Sequence, residues 1–163
     1  MKTTIIVLFF CCLISACTTT SIHKNDIDKN SIDKAAIIQT NKNIRAAFTS
    51  GNIEEIVRYH HADVEKAFSW NDYQVGSNSV KLGLAGILEN YQLEFLGSAE
   101  DMESLQIFSD SAVMIARFAL KGTPKKASVK PFLFSGRTMI VYVRSKDSPT
   151  GWLSFREMIT PEK

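Results

Sequence analysis

The hydrophobic period changes once along this chain, and that change limits the possible folds more than any other feature. As far as Tyr91 the apolar residues recur mainly at helical spacing, and from Gln92 onward they alternate. Ile37, Ile44, Ala47 and Phe48 share one face of a helix predicted from Lys34 to Ser50, with Gln39, Lys42, Asn43 and Arg45 turned away. Gly51 suits the left-handed residue that ends a helix. Asn52 then caps a short second helix, with Glu55 placed to reach back to it, and the stripe Ile53, Ile56, Val57 ends at His60. Val64 to Trp70 reads as a strand with Val64, Phe68 and Trp70 on one face. Past the turn-like Asn71-Asp72, a third helix from Ser79 to Tyr91 carries Val80, Leu84, Ile87, Leu88 and Tyr91 as its stripe. Gly83 and Gly86 each cost about 1 kcal/mol there relative to alanine, so close packing against another element is expected.

The alternating half divides into strands near Gln92–Leu96, Glu103–Phe108, Ala112–Lys121, Pro131–Arg144 and Trp152–Thr160. Turns fall at Ser109-Asp110 and across Ser145 to Gly151. The basic stretch Lys121 to Lys130 reads as a solvated hairpin loop, with contact to anionic lipid as the alternative. Helices followed by a run of antiparallel strands make an α+β domain without internal repeats.

The N-terminus has a different logic. Lys2 is followed by an apolar run from Ile5 to Ile14. Ten residues rise only about 15 Å as a helix, against a hydrocarbon core of about 30 Å, so the run suits a signal peptide and not a spanning helix. It ends in Leu13-Ile14-Ser15-Ala16-Cys17, which resembles the lipobox of bacterial lipoproteins. The resemblance implies cleavage before Cys17 and acylation of that residue; ordinary secretory cleavage after Ala16 is the alternative. Thr18 is not the aspartate associated with inner-membrane retention, so the periplasmic face of the outer membrane is the expected location. Residues 1–16 are then the signal, 17–33 the lipidated N-terminus and a flexible tether, and 34–163 the folded domain. The tether assignment rests on its polarity and on Ile22, Ile27 and Ile32, whose spacing of five suits neither a helix face nor a strand face.

Cys11, Cys12 and Cys17 are the only cysteines, so the domain holds neither a disulfide nor a thiol nucleophile and must be stabilised by its core. Without Lys2 there are eighteen basic and seventeen acidic residues, and no basic stripe that would mark a nucleic-acid partner.

Three segments carry a wider resemblance: residues 47–57, reading AFTSGNIEEIV, the tetrad Asp110-Ser111-Ala112-Val113, and the final run Gly151-Trp152-Leu153-Ser154-Phe155-Arg156-Glu157. In that order, within helix, short helix, strand, helix and terminal sheet, the chain resembles the nuclear transport factor 2-like superfamily. SnoaL-like domains and ketosteroid isomerase belong to it. The resemblance implies a cone-shaped half-barrel, a curved antiparallel sheet packed on three N-terminal helices around an apolar pocket. It also implies the option of a homodimer through the outer sheet face. The isomerase needs a carboxylate base on the first strand and a tyrosine in helix one. Anchored on Gly51, those places fall at Phe68 and Ile44, and neither side chain moves a proton.

His60, His61 and Asp63 lack the spacing of a metal site, and no nucleotide-binding or nucleophile-elbow motif is present, so no metal or cofactor is expected. His60 reads first as a hydrogen-bonded core histidine. The candidate pocket residues are His60, Phe68, Trp70, Tyr73, Arg137 and Glu157. Leu133, Ser135, Arg137, Met139, Val141 and Val143 form one alternating row and Leu153, Phe155, Glu157 and Ile159 another, each apolar but for one charge. Centring the last turn on Asp147 sets Val141 opposite Leu153, Met139 opposite Phe155 and Arg137 opposite Glu157. Both rows then face a pocket, or both face a dimer partner. Three functions stay open: binding of a small, largely apolar ligand, a small lyase, hydratase or isomerase, and a protein-interaction module of the envelope.

Overall fold

The structure is a computed structural model that describes residues 24–69 and 71–162. The segment expected to be a signal peptide, Cys17 and Trp70 lie outside the described residues. In chain order the elements are α1 (Lys24–Ser50), α2 (Ile53–Val57), β1 (His60–Ser69), β2 (Asp72–Val75), α3 (Ser77–Asn90), β3 (Tyr91–Leu96), β4 (Met102–Ile107), β5 (Ser111–Pro124), β6 (Phe132–Arg144) and β7 (Trp152–Pro161). The strands form one curved, unclosed sheet in the order β2-β1-β7-β6-β5-β3, with β4 also paired to β5. Every pairing is antiparallel except β1 with β7. Helices on the concave side complete the cone, in agreement with the α+β class expected from the sequence.

Helix α1 begins ten residues earlier than its apolar pattern predicts, so residues 24–33 belong to the helix and not to the tether. A polar residue, Asp33, continues its buried face past the apolar pattern. Asp33, Ile37, Thr40, Asn41, Ala47 and Phe48 are all buried, and Asp33 extends the row one turn upstream of Ile37. Asp33 is bound by both terminal nitrogens of Arg144, one of them at 2.8 Å, and Arg144 lies 4.3 Å over the Trp152 ring. Ile32, whose spacing fits no buried face, points to solvent.

Half of the expected cap of α2 forms: the Glu55 amide donates to the Asn52 side chain at 3.1 Å, after Gly51 turns the chain at φ +69°, but the Glu55 carboxylate pairs with Arg58 and the Asn52 amide donates to the Ala47 carbonyl instead. Close packing is found at Gly83, where a methyl group would sit 2.7 Å from the Gln74 side chain, but not at Gly86. Two lysines of the 121–130 segment are engaged by the protein itself. Lys125 donates to the carbonyl of Leu88 in the last turn of α3, and Lys126 pairs with Glu89 at 3.0 Å.

The last hairpin has a different register from the one expected. Arg144 faces Trp152, Tyr142 faces Ser154, and then Val141 faces Arg156. Phe155 is an extra residue in β7, a β-bulge. Beyond it Ile140 faces Glu157, and Arg137 faces Thr160. Strict alternation from Ser154 would put Glu157 outside; the bulge turns it inside. The inner row of β6 is therefore Phe132, Phe134, Thr138, Ile140 and Tyr142, while Arg137 lies on the outer face.

Candidate functional site

The inner face of the sheet and the helices enclose a cavity of about 370 Å³. Phe48, Phe68, Phe95, Phe118, Phe132 and Phe134 form much of its wall, with Ile44, Leu84, Leu93 and Ile140. Phe68 and Ile44, the positions where isomerase chemistry would need an acid and a phenol, are both apolar wall.

Into this wall the sheet inserts a polar group. His60 opens β1 instead of closing α2, because the chain leaves the short helix at Arg58. Its Nδ1–H donates to the carbonyl of Ile56 at 2.8 Å, and because that carbonyl can only accept, Nε2 is left as an acceptor. Lys66 Nζ donates to this Nε2 at 3.1 Å and pairs with Glu157 Oε2 at 2.6 Å. Thr138 Oγ1 donates to the other oxygen of Glu157 at 3.0 Å. Burial, and then the charge of Lys66, push the His60 imidazole down to about 3, so it is neutral. Burial alone would raise Glu157, but the charge and hydrogen bond of Lys66 outweigh it and hold the carboxyl below its usual range. The Lys66 and Glu157 side chains are only 8 % and 13 % exposed. Such pairs are uncommon, since each ion gives up its hydration.

Three other polar atoms behave differently. Arg45 Nε, Tyr142 Oη and Ser154 Oγ are buried without a hydrogen-bond partner among the described residues, and all three residues line the cavity. Burial, followed by the nearby Glu157, raises the Tyr142 phenol above its ordinary value, so it remains protonated.

Of the sequence candidates, His60, Phe68 and Glu157 line the cavity. Arg137 does not; it binds Glu103 through Nε at 2.6 Å and a terminal nitrogen at 2.9 Å on the convex face. Tyr73 does not either. It lies opposite Ala67 on the edge strand, 58 % exposed, and donates to Glu65. Lys66, Thr138, Tyr142, Ser154 and Arg45 were missed. For Lys66 the signal was present: it shares the parity of Val64 and Phe68 on β1. For Thr138 and Tyr142 it was the even row of β6, which carries the aromatics.

A scan with protein-family models finds no match, and a search among curated proteins finds none. Solved structures do match. A proposed scytalone dehydratase from Novosphingobium aromaticivorans DSM 12444 superposes with a TM-score of 0.74 at 16% identity, over 84% of this chain and 89% of that one. A nuclear transport factor 2-like superfamily protein from Salmonella enterica serovar Typhimurium LT2 gives 0.67 at 7% identity, over 83% and 94%. A type-2 hexachlorocyclohexane dehydrochlorinase gives 0.66 at 15%, over 85% and 93%. The fold is thus the cone of the nuclear transport factor 2-like proteins. At these identities the likeness extends to the fold and not to the chemistry.

Proposed function

We propose that this chain is a lipid-anchored envelope protein whose domain binds a small, largely apolar molecule in the cone. The observation that carries the reading is the aromatic cavity with its polar inner group. Ligand sites are commonly apolar hollows of about 300–1,000 Å³ with a few placed polar groups, and 370 Å³ lies at the compact end. Glu157 is a poor base at its lowered pKa, which suits accepting a hydrogen bond better than stripping a carbon acid. The test is mass spectrometry of organic extracts from the purified full chain. A ligand should accompany the wild type and be lost from Ala116→Phe, which fills the cavity. Equal extracts would sink the reading.

The anchor rests on Ile14-Ser15-Ala16-Cys17, and the proposed location is the periplasmic face of the outer membrane. A palmitate analogue should label the wild type and not Cys17→Ser; label that survives the substitution refutes it. A second reading, a small lyase, is favoured by a carboxylate and an ammonium side by side in the cavity, and two of the three structures named above bear dehydratase or dehydrochlorinase names. Turnover by the wild type that is lost in Glu157→Gln while circular dichroism shows the variant folded would establish it over simple binding. A homodimer through the convex face, where Leu133, Met139 and Met158 are exposed, is proposed as the oligomeric state, to be checked by sedimentation.

A further inference from the structure

The cavity contains two separate polar groups, and only one of them is complete. Glu157, Lys66, His60 and Thr138 satisfy one another. Arg45 Nε, Tyr142 Oη and Ser154 Oγ have no such partner among the described residues. Tyr142 and Ser154 are directly opposite each other across β6 and β7, on the same inward face, and are 0 % and 2 % exposed. Arg45 reaches the cavity from α1, its guanidinium 5.0 Å over the Phe95 ring; one terminal nitrogen donates to the Gly97 carbonyl at 3.3 Å, and the buried Nε is the atom left over. Arg45 and Tyr142 are close enough for each to affect the protonation of the other.

All three orphaned atoms can donate a hydrogen bond, and Arg45 can do nothing else. A buried donor without an acceptor costs free energy comparable to a lost hydrogen bond, more so when charged. The balance of charge points the same way. Inside the cavity Glu157 is matched by Lys66, His60 is neutral, and Asp72 belongs to the exposed rim. Arg45 has only Asp101, acting from beyond ion-pair distance. One positive charge remains unmatched beside three unused donors.

We infer that the ligand is an apolar monocarboxylic acid, its carboxylate received by Arg45, Tyr142 and Ser154 and its body lying among the phenylalanines. This rests on the cavity-binding reading. A carboxylate supplies the one thing the trio lacks, a negative group with several acceptor sites. A neutral alcohol would leave the charge uncompensated. An acyl chain and an aromatic acid share this head group, so the body of the molecule is a separate question.

The experiment measures equilibrium binding to the full chain in phospholipid nanodiscs, with empty nanodiscs subtracted. The probes are two matched pairs: decanoate with decanol, and naphthalene-2-carboxylate with 2-naphthylmethanol. In at least one pair the acid should bind about 10-fold or more tightly than its alcohol, since a charged hydrogen bond is worth about that factor. The pair that binds tells an aliphatic body from an aromatic one. Arg45→Met should abolish the preference while leaving the alcohol within about 3-fold of wild type. Tyr142→Phe, which removes one oxygen and keeps the ring, should narrow it; it is the variant of record if Arg45→Met does not fold. Equal affinities for acid and alcohol, or a preference unchanged in these variants but lost in Lys66→Met, overturn the inference and leave the cavity reading standing. Binding of neither pair, with Ala116→Phe indistinguishable from wild type, overturns both.

Discussion

The two faces of the sheet each hold a glutamate that accepts from two side chains, Lys66 and Thr138 inside and two arginines outside, and the solvent around them differs. Inside, Glu157 lies between Lys66 and Thr138 with His60 behind the lysine. Outside, Glu103 accepts from Arg137 and Arg117, the latter at 2.8 Å. Both carboxyls are held low, Glu103 to about 2, first by its hydrogen bond from Arg137 and then by that from Arg117. On the convex face Glu103 keeps 36 % of its side-chain exposure and the arginines more than half of theirs, so water screens the charges and can replace either partner. On the concave face neither replacement is available. A depressed pKa therefore says that a carboxylate is well partnered, not that the protein depends on the partnership. Dependence comes from the solvent that is missing.

The sharpest way to break this contrast is to remove Lys66. Lys66→Met leaves Glu157 buried without its cation and should cost about 3–5 kcal/mol in urea melts, most of it restored in Lys66→Met/Glu157→Leu. A loss under about 1 kcal/mol would mean that the inner group is as wet as the outer one. Next comes pH. Unfolded His60 takes up a proton below its ordinary value of 6.5, whereas the folded imidazole stays neutral down to about 3. The unfolded state then binds more protons, so stability falls as pH drops from 6.5 toward 3, by about 1.4 kcal/mol per unit. Glu157, its folded pKa depressed, adds a loss of the same sign only once the unfolded carboxyl begins to titrate. Melts between pH 6.5 and 5 should show the histidine slope in the wild type and not in His60→Gln.

A smaller effect has the opposite sign. Tyr142→Phe deletes a buried hydroxyl that nothing in the fold uses and should stabilise the ligand-free protein by about 1 kcal/mol. Destabilisation would show that the hydroxyl has a structural partner. The smallest change is on the convex face. Glu103→Gln should shift the urea midpoint less than Tyr142→Phe does, and 1 M salt should erase the difference.

Much of the architecture was legible because periodicity reports burial, and burial shapes elements. The caps at Gly51 and Asn52, the third helix and all five later strands were placed within a few residues. What escaped was written in polar residues. Asp33, Thr40 and Asn41 continue the buried face of α1, but a pattern search for apolar residues ends at Ile37. Lys66 occupies an inward position that its charge argues against. Its partner Glu157 was named as a pocket residue, yet with the wrong companion. Symmetry about Asp147 matched the charges of Arg137 and Glu157, but the hairpin is centred on Ser148, which shifts the pairing by two residues, and the bulge at Phe155 adds one more and exchanges the faces. A bulge is set by how a strand curves in three dimensions, and the alternation of a single strand does not record it. Tyr73 was misplaced because the short edge strand β2 gave too few residues to reveal its parity.

The spare residue at Phe155 also decides how this strand can change over generations. Point substitutions alter one side chain and leave the two faces of β7 as they are. A gain or loss of one codon reassigns faces, and most such events would export the end of the strand to solvent. Phe155 is the exception: without it Ser154 and Arg156 become neighbours, and each still meets the β6 partner it meets now. Against β6, the strand could drop that codon and keep Glu157 within the cone; against β1, where the five-residue step from His60 to Glu65 already spans only Ser154 to Arg156, the same loss would widen the mismatch.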